Sequence, residues 1–298
     1  MKKSTGILFT FLASVGYGVA PFLTKLAFQI GYNEYFLVLA RCVITTIVLF
    51  IYMKKRKVNF YLNKNTLLHI LKIGILGHGL MIIFLLKSFQ YIPTGISIAI
   101  NFIYPILVML GMILFYHEKI SSKKILASII SVMGIYLIVG LAESNSVNLL
   151  GFLMALLSGI LYAYYILQIS NSPLRKVNSI VLTYYISLIN IIPFFLGSVL
   201  TKSFSNAFTL HGIMLILLIS LIASTGIILF NIGLQIISAV TASIISTMEL
   251  LTTVVLGVVV LNEMLSLSQL IGIFLIALSV IYIAKLEHNS SYNLSKLT

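Results

Sequence analysis

Among the ionisable residues of this chain, Glu249 stands alone: it is the only acid that falls in the middle of a long apolar segment. The sequence has no Asp, and its other carboxylates, Glu34, Glu118, Glu143, Glu263 and Glu287, fall at segment ends, in connections or in the tail. A carboxyl group at such depth is costly unless it holds a proton, meets a cation or lines a wet space, so it marks a candidate for proton carriage or amine binding. The bland alternative is a protonated packing residue.

Six residues complete the short roster of ionisable groups inside apolar segments: Lys25, Arg41, Lys72, His78, Lys87 and Glu249. Lys72 and Lys87 lie near segment ends, where their stems can snorkel to headgroups. Lys25 and Arg41 lie deeper, where anchoring a helix and touching a ligand are equal alternatives. His78, among Gly74, Gly77 and Gly79, reads either as a hydrogen-bonded packing residue or as a proton relay.

Placing each residue over the one 145 positions later reveals a repeat. Gly6 falls on Gly151, Tyr17 on Tyr162, Gln90 on Gln235, Glu118 on Glu263 and Ser121 on Ser266. Glu249 then falls on Tyr104, Ser246 on Asn101 and Ala242 on Ser97. Positions 97, 101 and 104 share one helix face, as do 242, 246 and 249. The candidate ligand-facing set is therefore Tyr17, His78, Ser97, Asn101, Tyr104, Tyr162, Gln168, Ser246 and Glu249, with Glu249 as the candidate coupling group. Pro105 removes a backbone hydrogen bond beside Tyr104 and predicts a bend there. Asn190 and Asn231 read as polar glue between helices.

The elements that must position these residues are membrane helices. Hydrophobic residues make up 60% of the 298 positions and charged ones 8%, with mean hydropathy +1.14. Continuous apolar runs such as Leu80 to Leu86 exclude the period-two pattern of a barrel. The fold class is all-α integral membrane, with about ten spans over 6–29, 35–53, 66–90, 94–116, 123–141, 149–170, 179–200, 211–236, 239–261 and 266–285. They divide into two five-helix repeats, residues 6–141 and 149–285, followed by a disordered cytoplasmic tail, 286–298. Five is odd, so the second copy enters the membrane from the opposite face, the inverted-repeat plan of secondary transporters.

Lys and Arg set the expected orientation. With the N-terminus inside, the inner segments collect Lys54, Lys55, Arg56, Lys57, Lys119, Lys123, Lys124, Arg175 and Lys176, while the outer loops hold only Lys202. That bias accounts for most of the net charge of +13 and the pI of 9.7, so nucleic acid is not an expected partner. Both termini are expected on the cytoplasmic side of the cytoplasmic membrane. The lone Cys42 excludes an intramolecular disulfide and reads as a small packing residue. The apolar start continues past Leu26, longer than a cleaved signal, and is read as a retained first span.

Taken together, these residues resemble the EamA-type members of the drug/metabolite transporter superfamily. The resemblance rests on Tyr104-Pro105 with Glu118 thirteen positions beyond the proline, matched by Glu249-Leu250 and Glu263. It rests also on Lys25, Arg41, and the Gln90-Tyr91-Ile92 and Gln235-Ile236-Ile237 stretches. Leu250 stands where such proteins commonly carry proline, which removes the proline argument for a bend in the ninth span. The resemblance implies ten helices around a central cavity and export of a small metabolite, amino-acid-like or related, by alternating access. No cofactor is called for, the partners are a small molecule and the bilayer, and a monomer is the expectation. A phosphate loop is absent, so ATP is not the energy source in this chain. A lipid-carrier flippase of the same fold is the alternative, with an intramembrane enzyme third, since no zinc-binding His-Glu-x-x-His or Gly-x-Ser-x-Gly elbow occurs.

Overall fold

A computed structural model describes residues 3–92, 94–139, 148–202, 209–261 and 266–295. The spans, numbered α1 to α10, run as follows. In the first repeat α1 is Lys3–Gln29, α2 Glu34–Lys55 and α3 Lys64–Ser88. Helix α4 is in two pieces, Thr94–Asn101 and Tyr104–Tyr116, and α5 is Ser122–Val139. In the second repeat α6 is Leu149–Asn171, α7 Ser179–Leu200 and α8 Leu210–Ile236. Helix α9 is again in two pieces, Ala239–Ile245 and Met248–Leu261, and α10 runs Leu267–Ser295, so the expected tail begins inside a helix. Among the described residues nine helices are long and apolar enough to cross a bilayer. The fifth expected span, 123–141, corresponds to α5; its last two residues lie outside the described residues, as do Glu143, Asn262 and Glu263.

The helices begin where the sequence supplies caps. Asn33, Asn63, Asn148, Asn178, Thr209 and Ser238 each accept a hydrogen bond from a first-turn backbone N–H, satisfying a donor that the helix leaves open. Lipid-facing rows stay apolar, as with Leu114, Phe115, Ile192 and Leu196.

The two repeats interleave. Helix α1 packs on α8 and its equivalent α6 packs on α3, while α2 meets α7, α4 meets α9 and α5 meets α10. Small contacts repeat with the 145-residue offset. Gln90 donates to Glu34 Oε1 at 3.1 Å, and at the opposite end of the bundle Ser179, the equivalent of Glu34, donates to Gln235 Oε1 at 2.8 Å. Gly6 seats against Ile236 and Ile237, and Gly151 against Tyr91 and Ile92, the residues 145 positions earlier. Gly134 of α5 and Gly272 of α10 lie so close that a side chain on either would collide with the other's backbone.

Both mid-span breaks fall at equivalent positions, although only one has a proline. In α4, Pro105 sits in the first turn of the second piece, where its missing N–H leaves the Asn101 carbonyl without its helical donor. In α9 the break comes from hydroxyls: Ser243, Ser246 and Thr247 donate to the carbonyls of Val240, Ser243 and Ile244, at 2.9, 2.9 and 2.6 Å. Each bond reaches back three residues and competes with the regular ladder, so the bend forms with Leu250 in the proline's place. A third irregularity lies in α3, where Ile73–Leu80 winds as a wide π-type helix. Asn190 of α7 donates to the Gly74 carbonyl there at 2.9 Å, one of the carbonyls that wide winding displaces.

Candidate functional site

The two breaks meet. Tyr104, at the start of the second piece of α4, shares a 2.6 Å hydrogen bond with Ser246, at the break of α9, and Tyr104 is buried. Asn101, one turn earlier, donates to Ser158 of α6 at 2.8 Å. Ser97, a further turn back, is fully buried, and its hydroxyl has no hydrogen-bond partner among the described residues. The face read from positions 97, 101 and 104 thus points into the protein. On α9, Thr247 beside Ser246 accepts from Ser131 of α5 at 3.1 Å, tying the same level to a third element.

Aromatic rings line the other side. Tyr162 of α6 stands edge-on to Tyr104 with centroids 4.6 Å apart, and stacks at 6.2 Å with Phe230 of α8. Tyr17, the repeat equivalent of Tyr162, meets Phe230 edge-on at 6.1 Å. Tyr165 lies 6.3 Å from Tyr162 and donates to Asn231 at 2.9 Å, while Asn231 donates to Thr183 at 3.3 Å. Tyr104 and Tyr165 place their hydroxyls on Ser246 and Asn231, as buried phenols require.

Glu249 enters the first turn of the second piece of α9. Its backbone carbonyl seats against Gly18, next to Tyr17, and it is an electrostatic neighbour of Tyr104 and Tyr162. Tyr17, Tyr162 and Glu249 are half-buried and keep accessible surface. Among the described residues Glu249 forms no ion pair.

Arg41 and His78 form a neighbouring wall. An Arg41 Nη2 donor lies 3.4 Å from His78 Nε2, and the His78 ring is 6.2 Å from that of Tyr165. Through His78, Arg41 is joined to Tyr165 and so to the ring cluster.

Of the sequence-derived candidates, Tyr104, Ser246, Tyr162, Tyr17 and Glu249 form one cluster, with Asn101 and Ser97 on the adjoining face of α4. His78 joins it through Tyr165. Gln168 lies six residues beyond Tyr162, about 240° around α6, and shares no hydrogen bond with the cluster among the described residues. Arg41, Tyr165 and Asn231 stand outside the sequence-derived candidate set. For Arg41 the available signal was its charge deep in a span. For Tyr165 it was the i, i+3 spacing from Tyr162, which Gln168 lacks.

At opposite ends of the bundle, Glu287 pairs with Lys3 at 2.9 Å and Lys124 at 3.5 Å and accepts from Thr241 at 2.9 Å, while Gln90 and Glu34 meet near the other end. The polar cluster therefore lies between two fastened ends.

Comparison with known proteins follows this geometry. None of the curated proteins compared matches the chain. A solved crystal structure is similar over 96% of this chain and 99% of its own length, with a TM-score of 0.81 and 16% identity, a likeness that shows the fold. The model of the EamA-like transporter family matches twice in succession, over residues 4–140 and 149–285. Two family matches in tandem, covering both halves of an interleaved helical bundle, establish that the chain belongs to the EamA-like transporter family.

Proposed function

We propose that this membrane protein is a secondary transporter that exports a small metabolite, amino-acid-like or related, across the cytoplasmic membrane by alternating access. The observation that carries this reading is the Tyr104–Ser246 hydrogen bond, which joins the broken midpoints of two repeat-equivalent helices beside Glu249. Broken helices at the junction of inverted repeats are where transporters place their cargo. The aromatic rings supply apolar contact, the hydroxyls supply direction, and Glu249 supplies a proton carrier or an amine acceptor. Both termini lie in the cytoplasm in this reading, and a monomer suffices because the cluster is built within one chain.

The test is a comparison of metabolites in cells overexpressing or lacking the protein, followed by flux measurements in proteoliposomes. A compound depleted from overexpressing cells, and carried across the vesicle membrane only when the protein is present, is the expected result. Absence of any protein-dependent flux across a broad panel of amino acids, nucleosides and sugars would overturn the reading.

A further inference from the structure

We infer that Arg41 and His78 form an anion subsite that takes a carboxylate group of the transported molecule. The inference rests on the transporter reading and names the chemistry of one end of the cargo. Arg41 lies seven residues into α2, about 10 Å along the helix axis from its start, too deep for a charge with no compensation. Among the described residues the ion pairs are those of Glu287 with Lys3 and Lys124, and no carboxylate lies within ion-pair distance of Arg41. The guanidinium carries five N–H donors and can accept nothing. Among the described residues one of them is engaged, by His78 Nε2.

That single bond fixes the histidine. Because arginine can only donate, Nε2 must be the accepting nitrogen, so the ring proton sits on Nδ1. His78 is 6% exposed, and its Nδ1 has no hydrogen-bond partner among the described residues. The guanidinium therefore presents one kind of group only, N–H donors, while the unpartnered Nδ1–H is buried on the far side of the ring that holds it. A site made of donors around a permanent positive charge is complementary to an anion, and the planar fork of arginine matches a carboxylate in particular.

The repeat shows that the fold does not require this pair. The positions 145 residues on are Ile186 and Ala223, both buried apolar residues on the equivalent helices α7 and α8. In the second copy these positions hold an apolar side chain and a methyl group. A charge retained on one side only, joined to the ring cluster through His78 and Tyr165, serves a ligand. The wide winding of Ile73–Leu80 carries His78 toward α6, where the ring meets Tyr165.

The test uses the purified full-length protein and pairs of probes that differ only at the acid: leucine against leucinamide, phenylalanine against phenylalaninamide, and sodium chloride as an inorganic anion. Thermal stabilisation is measured for the wild type, Arg41→Lys, Arg41→Gln and His78→Phe. The acids are expected to stabilise the wild type, the amides not to, and Arg41→Gln to weaken acid binding by at least about 25-fold, the effect of removing one member of a buried charged pair. Arg41→Lys, which keeps the charge and loses the fork, should fall between. Equal stabilisation by acid and amide, an unaltered response in Arg41→Gln, or no response of the wild type to any acid overturns the proposal. Full stabilisation by chloride alone assigns the subsite to an inorganic ion and overturns it as well. Should proteoliposomes carry a cargo with no preference for acid over amide, the subsite fails while the transporter reading stands. Should acids bind through Arg41 while nothing is transported, the transporter reading fails instead.

Discussion

Glu249 and Tyr104 occupy equivalent places in the two repeats, and they invite opposite experiments. Glu249→Gln keeps the shape and hydrogen-bonding capacity of the side chain and removes its titration. The expected outcome is loss of pH-dependent flux, or of amine recognition, with the protein still folded; a wild-type rate with a wild-type pH profile would exclude both roles. Tyr104→Phe removes the hydroxyl that meets Ser246 and leaves the ring against Tyr162. Its cost to stability should be about 1 kcal/mol, the ordinary worth of one internal hydrogen bond, read as a lowered unfolding midpoint in detergent. Ser246 keeps its bond to the Ser243 carbonyl, which limits the damage. A much larger loss would mean that the Tyr104 hydroxyl holds the two breaks together, a role beyond one bond.

Helices carry their own predictions. Pro105→Ala restores a backbone N–H that can bond the Asn101 carbonyl, straightening α4 and slowing transport more than it lowers the amount of folded protein. Transport per folded molecule is the quantity to compare, and an unchanged value reduces the bend to packing. Asn190→Leu strips the donor from the Gly74 carbonyl and should destabilise by about 1–3 kcal/mol, because a buried acceptor loses its partner; thermal unfolding reads this directly. Much of this element level was legible in the sequence. The apolar lengths were, for the nine described helices long enough to cross, since the bilayer imposes a length on every crossing helix, and so was the bend at Pro105. The bend in α9 was not, because serine and threonine bonds to carbonyls three residues back leave no single residue as a flag. Nor was the wide turn at Ile73–Leu80, where Asn190 arrives from a helix more than a hundred residues away to meet the Gly74 carbonyl. Within the site, the face at 97, 101 and 104 follows from helical spacing, whereas the grouping of Arg41 with His78 needed the packing of α2 beside α3.

For the whole molecule, the 145-residue offset relates contacts as well as residues, from the Gln90–Glu34 and Gln235–Ser179 pairs to the seats of Gly6 and Gly151. Inversion makes a plain topological prediction: reporter fusions after residues 57, 145 and 285 should read inside, outside and inside. An inside reading at 145 would destroy the inverted-repeat argument. Cys42, finally, has a practical consequence. It is the sole thiol, 2% exposed, and walled in by Val38, Leu39 and Phe194. A water-soluble maleimide should therefore leave the folded wild type unmarked and react only after denaturation. The native chain is already a silent background for thiol chemistry, so one cysteine introduced at exposed Tyr91, beside the Gly151 seat, would report how often that end of the bundle opens to water.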